Sequence, residues 1–253
     1  LFEQLGRGWQ LFEGKCFHQF ILNYEKPTLS VSSVKGLEWT SKIREYGRFN
    51  KEIHQVPRLV FRDVAASTNV RGMIACIIPK HTFVANTAPV IIPRYNGELL
   101  LEGEYLKTIA YLAGIFNSTT FDFLIRRRIT MHLNFFYIEQ TPVPSRKNNA
   151  LVNEIVKISA ELSSPDERFA ELAKTARSGY GSVDIKKRIE LTAKLDALVA
   201  YHYGLSRQEY EYILSTFTGF EEDDKLKDIT EVKWDDTLIR KFNGEVRKRA
   251  LGY

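Results

Sequence analysis

The chain has 253 residues, of which 44% are hydrophobic and 26% are charged, and its formal net charge is +5. This composition supports one large or two small globular domains with a hydrophobic core, and it excludes a disordered tail and a disulfide-dependent miniprotein. The longest uncharged run lies between Lys107 and Asp122, which is shorter than the roughly 18 residues that a membrane span needs. We therefore expect no membrane partner.

The two cysteines indicate a compartment. Cys16 and Cys76 lie in apolar stretches without a CxxC spacing or a nearby pair of histidines, which predicts reduced core thiols rather than a disulfide or a zinc site. Reduced thiols are typical of the cytoplasm. The chain begins at Leu1, and charged residues stand where a signal peptide has an apolar run. We interpret it as a soluble, cytoplasmic piece of a longer protein, without a metal site.

The positive charge is concentrated in one part of the chain. Residues 1–150 contain 19 lysines and arginines against 12 aspartates and glutamates, whereas residues 151–253 contain 17 against 19. We therefore expect the cationic surface to lie in the first part.

The first 100 residues are rich in β-branched and aromatic residues, with turn residues between short runs, which predicts a mainly β segment. Residues 58–64 alternate, with Leu59 and Phe61 on one face, and residues 72–79 are continuously apolar. Together they predict a hairpin with one buried arm. A third apolar run, residues 82–92, is expected to extend this sheet or to lie along its edge.

From Glu104 the apolar residues recur at helical spacing as far as Phe116. A second helix is predicted to begin at Thr119, with Asp122 as its capping partner, and to continue to Arg128. The change of period marks the point where strands give way to helices.

Residues 141–149 form the clearest linker, because two prolines in four residues favour an extended path. The pattern after it is helical, with predicted helix starts at Ser164 and at Ser206. We therefore predict an α+β fold, in which a mixed, mainly β part (1–145) is followed by a helical region (146–253).

Common catalytic motifs are missing from the sequence. It contains no G-x-G-x-x-G, G-x-x-x-x-G-K-[ST], G-x-S-x-G or H-E-x-x-H string. One pattern, Asp166 with Glu231 and Lys233, imitates the two carboxylates and lysine of a magnesium-dependent nuclease. We keep a nuclease as the weakest alternative.

Basic residues of the first part alternate with aromatic ones, a pattern that suits nucleic acid, because cations bind phosphates and arginine reads guanine edges. Two structural alternatives remain open. Arg62 or Arg71 could pair with Asp63, and the three arginines 126–128 suit the C-terminal end of a helix dipole. The candidate DNA-binding residues are Lys42, Arg44, Arg48, Arg62, Arg71, Lys80, Arg126, Arg127 and Arg128.

Eight strings, in order along residues 9–217, resemble the TaqI-like C-terminal specificity domain of adenine-N6 DNA methyltransferases and the helical segment that follows it. These enzymes belong to type IIG and related restriction-modification systems. The strings are WQLFEGKCFHQF (9–20), PRLVFRDVA (57–65), RGMIACIIP (71–79), LAGIFNS (112–118), HLN (132–134), TPVP (141–144), KLDALVAYHYGLS (194–206) and YILSTF (212–217).

The resemblance implies that this chain recognises a duplex DNA target, while an upstream domain binds S-adenosylmethionine and methylates a flipped adenine. That domain would carry an Asn/Asp-Pro-Pro-Tyr/Phe motif, which this sequence lacks. We therefore expect no cofactor and no methyltransferase activity in this chain alone. Pro57, Phe61, Asp63 and Asn117 are interpreted as fold determinants. A protein-interaction module formed by residues 146–253 is the alternative from another class.

Overall fold

The computed structural model describes residues 2–4, 8–41, 53–65, 69–96, 98–129, 131–229 and 232–253. It contains both helices and strands, which confirms the α+β class. Every described strand lies before residue 100, and every described α-helix except the first lies after it. Among the described helices, none combines the length and the apolarity that crossing a membrane requires.

The strands form several small sheets. They are β1 (Phe2–Gln4), β2 (Trp9–Phe12), β3 (Phe17–His18), β4 (Ile21–Leu22), β5 (Leu29–Val31), β6 (Arg58–Phe61), β7 (Ala75–Ile78), β8 (Phe83–Val84), β9 (Val90–Ile91), β10 (Arg94–Tyr95) and β11 (Glu98–Leu99). The sheets have the strand orders β1-β5-β2-β8, β7-β6-β9, β3-β4 and β10-β11.

The predicted hairpin is confirmed as β6 and β7, which pair antiparallel with Leu59 opposite Ile77. As predicted for the third run, β9 adds a strand at the free edge of β6. The expectation of only one buried arm was wrong, because every residue of both strands is buried. The reason is that β6 lies between two hydrophobic clusters: Leu59 and Phe61 pack into the main core, whereas Val60 packs against Phe12 in a second cluster.

Helices make up most of the later part. They are α1 (Ser33–Ser41), α2 (Glu102–Phe116), α3 (Thr119–Arg126), α4 (Phe135–Glu139), α5 (Ala150–Ser163), α6 (Ala170–Ala176), α7 (Ile185–His202), α8 (Arg207–Ser215) and α9 (Asp236–Ala250). The helices predicted from Glu104 and from Thr119 are confirmed as α2 and α3.

Two predicted caps were wrong. The N-cap of α3 is Ser118, whose hydroxyl accepts a hydrogen bond from the Phe121 amide, because Thr119 and Asp122 make tertiary contacts instead. Ser164 does not begin a helix; it ends α5. The capping box that begins α8 is confirmed, with reciprocal hydrogen bonds between Ser206 and Glu209.

One hydrophobic core extends across the predicted boundary at residue 145. The main cluster contains Leu59 from β6 and Phe116 from α2, together with Ile155 from α5 and Leu195 from α7. Helices α2 and α5 approach closely at Gly114, where an added Cβ would overlap the Ser159 hydroxyl. The division into parts 1–145 and 146–253 stays a prediction.

The predicted linker between α4 and α5 is held by two tyrosine hydroxyls. Tyr111 of α2 donates a hydrogen bond to the Pro144 carbonyl at 2.7 Å, and Tyr203, just after α7, donates one to the Pro142 carbonyl at 2.8 Å. Each bond satisfies a carbonyl of a segment that lacks regular structure. The linker is therefore attached to helices on both sides of it.

Candidate nucleic-acid interface

The predicted DNA-binding residues fall into three groups. Lys42, Arg44 and Arg48 lie outside the described residues. Arg62, Arg71 and Arg126 make contacts in the interior, whereas Lys80, Arg127 and Arg128 lie at the surface.

Arg71 is buried, and its charge is neutralised inside the protein. Its Nε lies 3.0 Å from the Asp122 carboxylate, and its Nη2 donates a hydrogen bond to the Asn117 carbonyl at 2.6 Å. Burial lowers the pKa of Arg71, and the Asp122 carboxylate opposes that shift. Because these contacts use its guanidinium, Arg71 is not available to bind a phosphate. Its ion-pair partner is Asp122, and not Asp63 as the sequence suggested.

Asn117 links the end of α2 to strand β7. Its side-chain amide donates to the Ala75 carbonyl and its side-chain oxygen accepts from the Ala75 amide, both at 3.0 Å. Gln19 also donates to the Asn117 carbonyl at 3.2 Å. These contacts support the interpretation of Asn117 as a fold determinant.

Arg126 shares the Asp122 carboxylate with Arg71. Its Nε lies 3.2 Å from Asp122 Oδ1, its Nη2 donates to the Val70 carbonyl at 3.2 Å, and its guanidinium carbon lies 4.2 Å from the centre of the Phe217 ring. We call Arg71, Asn117, Asp122 and Arg126 the buried polar network. It joins α3 to the segment before β7 and to the residues after α8.

Arg62 has a structural contact of the same kind. Its Nε donates to the Gly14 carbonyl at 2.9 Å, and its Nη2 donates to the Phe17 carbonyl. Burial lowers the pKa of Arg62. Arg62 therefore fixes the turn before β3 to the end of β6. We leave it, Arg71 and Arg126 out of the candidate interface.

A second group of residues forms an exposed surface where residues 63–65 meet residues 131–133. The Leu133 amide donates to the Asp63 carbonyl at 2.7 Å, the Ala65 amide donates to the Met131 carbonyl at 3.3 Å, and Val64 bridges to His132. We call this surface the exposed edge. Its residues are Val64, Arg127, Arg128, Met131, His132, Phe135 and Phe136.

Large apolar side chains are unusually accessible on the exposed edge. Met131 is 68% exposed and Phe136 is 60% exposed, and Phe135 and Val64 are also exposed. Asn134 caps α4, which places Phe135 and Phe136 in its first turn. Several exposed apolar side chains on adjoining segments indicate a binding surface more often than a single exposed side chain does.

Two arginines of the exposed edge have no acidic partner in the part of the chain that the structure describes. Arg127 lies over the Phe123 ring, with its guanidinium carbon 4.0 Å from the ring centre, and Arg128 donates to the Gln140 carbonyl at 3.0 Å. Within the described residues, neither has a carboxylate at ion-pair distance. Asp63, which the sequence offered as a partner for Arg62 or Arg71, binds His132, with 3.1 Å between Oδ2 and Nδ1.

The sequence pattern did not identify the apolar half of this edge. A usable signal was present: two adjacent phenylalanines follow Asn134, and both cannot face the core from the first turn of a short helix. Lys80, the remaining surface candidate, lies elsewhere, with its Nζ 4.0 Å from the Glu171 carboxylate of α6.

The residues of the nuclease pattern have other contacts. Asp166 binds the guanidinium of Arg168, with 2.7 Å between Oδ2 and Nη2, and that hydrogen bond lowers the pKa of Asp166. Lys233 is exposed, and Glu231 lies outside the described residues. A search of the described side chains finds no group of three His, Cys, Asp or Glu residues that could hold a metal ion.

Residues 221–224 are all acidic, and α9 pairs with three of their carboxylates. Lys241 Nζ lies 2.9 Å from Asp223, Lys248 Nζ lies 2.8 Å from Asp224, and Arg247 lies 3.8 Å from Glu222. This run is therefore already paired within the chain, which reduces its value for docking a basic partner.

Comparison with known proteins finds no family model and no curated protein that matches the chain. The exposed edge combines two arginines with large exposed apolar side chains, and it is therefore the candidate binding surface.

Proposed function

We propose that the chain recognises duplex DNA as the specificity part of an adenine-N6 DNA methyltransferase or restriction-modification protein in the cytoplasm. The observation that carries the proposal is the exposed edge, which combines the exposed Met131, Phe135 and Phe136 with Arg127 and Arg128, two arginines without a carboxylate partner among the described residues. The resemblance of residues 9–217 to TaqI-like specificity domains supports it independently. S-adenosylmethionine and the catalytic residues would belong to an upstream domain, which is the second partner.

The chemistry of the exposed edge suits a polyanion with an apolar interior. When arginines bind phosphates, counterions condensed on the DNA are released. This release supplies affinity for any DNA sequence. Apolar side chains such as phenylalanine and methionine can enter between base steps and hold a bent duplex. Both kinds of group occur here on a surface that β6 and α3 hold in place.

The interface is tested by comparing adjacent arginines. We expect the double variant Arg127→Ala/Arg128→Ala to weaken binding to a mixed-sequence duplex and to reduce the slope of log affinity against log salt by about 2, since each lost phosphate contact reduces it by about 1. Fluorescence anisotropy at several salt concentrations measures both quantities on the full chain. The control is Arg126→Ala, which should reduce thermal stability but leave the salt slope unchanged.

Removing the apolar side chains of the exposed edge should change the affinity for DNA without changing its salt dependence. Phe135→Ala/Phe136→Ala should weaken DNA binding at every salt concentration while the slope stays the same, because no phosphate contact is lost. Circular dichroism checks that the variant is folded. DNA binding that neither double variant changes would exclude the exposed edge as the interface.

A protein-interaction module is the second candidate, because Met131 and Phe136 also suit a protein partner. Such a partner would be the upstream methyltransferase domain. The two candidates differ in salt dependence: binding of the chain to that domain through the apolar residues would respond weakly to salt, whereas duplex binding would respond steeply.

A further inference from the structure

An open groove of about 810 Å³ lies away from the exposed edge. Its walls come from the β3–β4 hairpin, from the start of α7 and from the residues before α9. The residues used below are Phe20, Asp184, Lys186, Arg188, Lys227 and Trp234. This volume is within the range of pockets that hold small organic ligands.

Arg188 gives the groove a cation, held by one hydrogen bond among the described residues. Its Nη1 donates one long hydrogen bond, at 3.4 Å, to the Phe20 carbonyl. In the part of the chain that the structure describes, no carboxylate lies within ion-pair distance of this guanidinium. Burial lowers the pKa of Arg188 to about 10. Because a guanidinium has five N–H donors, most of its hydrogen-bonding capacity remains for a ligand.

The backbone at Phe20 is held in an unfavourable conformation beside Arg188. Phe20 has a φ of 58°, in the left-handed region that a bulky side chain rarely adopts. Its side chain is buried in the main core, and its amide donates to the Ala75 carbonyl at 3.3 Å. These two attachments fix the carbonyl that receives the Arg188 hydrogen bond. The cation is thus positioned at the wall of the groove.

Other groups of the groove complement an aromatic ligand with hydroxyls. Lys186 is exposed, and Lys227 Nζ lies 3.8 Å from the Glu245 carboxylate. Trp234 is partly buried and meets Phe242 edge-on, with 5.4 Å between ring centres, so one side of its indole has a fixed neighbour. Asp184 caps α7, and Asp228 contributes a further carboxylate acceptor.

We propose that this groove binds a nucleotide, with its phosphate on Arg188 and Lys186 and its base stacked against Trp234. Arginine forms two parallel hydrogen bonds with a phosphate, and every base has a π-face that stacks on an indole ring. The ribose hydroxyls are donors that match the carboxylates of Asp184 and Asp228. A simple anion would use Arg188 alone and leave the apolar wall without a ligand. The proposal does not depend on the DNA function.

Calorimetric titration of the full chain with AMP tests the site. Inorganic phosphate and duplex DNA are titrated separately, each in the absence of AMP. We expect AMP to bind at least tenfold more tightly than phosphate, because only AMP uses Trp234. Trp234→Leu should reduce AMP affinity about tenfold and leave phosphate affinity unchanged. Arg188→Met should abolish binding of both.

Adjacent lysines provide the matched control. Lys186 lines the groove, whereas Lys187 pairs with Glu161 on α5. Lys186→Ala should weaken AMP binding several-fold, and Lys187→Ala should not change it. This pair keeps the test decisive if Arg188→Met fails to fold. The proposal is overturned if AMP and phosphate bind with equal affinity, or if the two lysine variants have equal effects. It is also overturned if duplex DNA binds through Arg188 and AMP does not.

Discussion

Arg126 and Arg127 are adjacent in the sequence but belong to different regions of the molecule. Arg126 contacts Asp122, the Val70 carbonyl and the Phe217 ring, so that its guanidinium is part of the interior. Arg127 is exposed, stacks on Phe123 and has no carboxylate partner among the described residues. A basic cluster in a sequence therefore need not be one site: Arg126 belongs to the fold, whereas Arg127 and Arg128 lie at the surface.

The comparison extends to the whole set of basic residues. In the buried polar network, arginines satisfy carboxylates and carbonyls that would otherwise be unpaired inside the protein. On the exposed edge, arginines keep their charge available. Substitutions in the network should therefore change stability, and substitutions on the edge should change binding.

The largest expected effect is that of Arg71→Ala. This change leaves the fully buried Asp122 without its shortest ion-pair contact, and breaking a buried pair on one side costs about 3 to 5 kcal/mol. Urea unfolding followed by circular dichroism measures the loss of unfolding free energy. A loss as small as that of a typical surface substitution would mean that the network does not stabilise the fold.

Asn117→Ala should have the next largest effect. It leaves the Ala75 amide without a partner in a buried strand and leaves the Ala75 carbonyl with only the Phe20 amide, which costs about 1 to 3 kcal/mol. The control is Asn153→Ala, because Asn153 is exposed and its side chain donates a hydrogen bond to the nearby Asn148. If both asparagine variants unfold at the same urea concentration, Asn117 does not have the linking role described for it.

The pH dependence of stability tests whether His18 is neutral in the folded protein. Burial, together with Arg62 and Arg71, holds the pKa of the buried His18 well below its ordinary value of 6.5. The unfolded chain therefore binds a proton below pH 6.5 that the folded chain does not. Stability should fall as the pH is lowered from 6.5, by at most about 1.4 kcal/mol per pH unit for each such histidine.

His202, whose pKa burial also lowers, contributes in the same direction. His18→Gln should therefore reduce the slope of stability against pH between 6.5 and about 5 without removing it. Denaturant titrations at several pH values give the slope. A slope that is identical in the parent and in His18→Gln would show that His18 is not held neutral.

The smallest expected effect on stability is that of Arg127→Ala. Its guanidinium loses only a stacking contact with Phe123, so the unfolding free energy should change by no more than about 0.5 kcal/mol. Thermal melts of Arg126→Ala and Arg127→Ala, measured side by side, give the sharpest form of the comparison. Equal destabilisation of the two variants would remove the distinction between them.

Much of the fold could be predicted because its signals are local. The alternation in β6 and the helical spacing in α2 and α3 indicate directly which side chains face the core. Helix α1 was not predicted, since it contains Gly36 and lies within a β-rich segment. An added Cβ at Gly36 would overlap the Phe83 ring, so tertiary packing, rather than helix propensity, selects this residue.

The candidate site was less predictable for a related reason. Whether an arginine of α3 faces inward depends on Phe217, about ninety positions further along the chain, which local spacing cannot report. The five residues of α4 are too few to show a period, so the exposure of Phe135 and Phe136 was not apparent. Charge composition located the cationic part, whereas three-dimensional packing decides which charges remain free.

The core that spans residue 145 has a consequence for how such a chain can be inherited. A recombination event that joined two different chains at the proline-rich linker would separate Phe116 and its neighbours from Ile155 and Leu195. The receiving protein would have to supply a matching surface at every one of these positions. A segment that carries its own packing surface must extend through α7, so the smallest unit that can be exchanged is longer than residues 1–145.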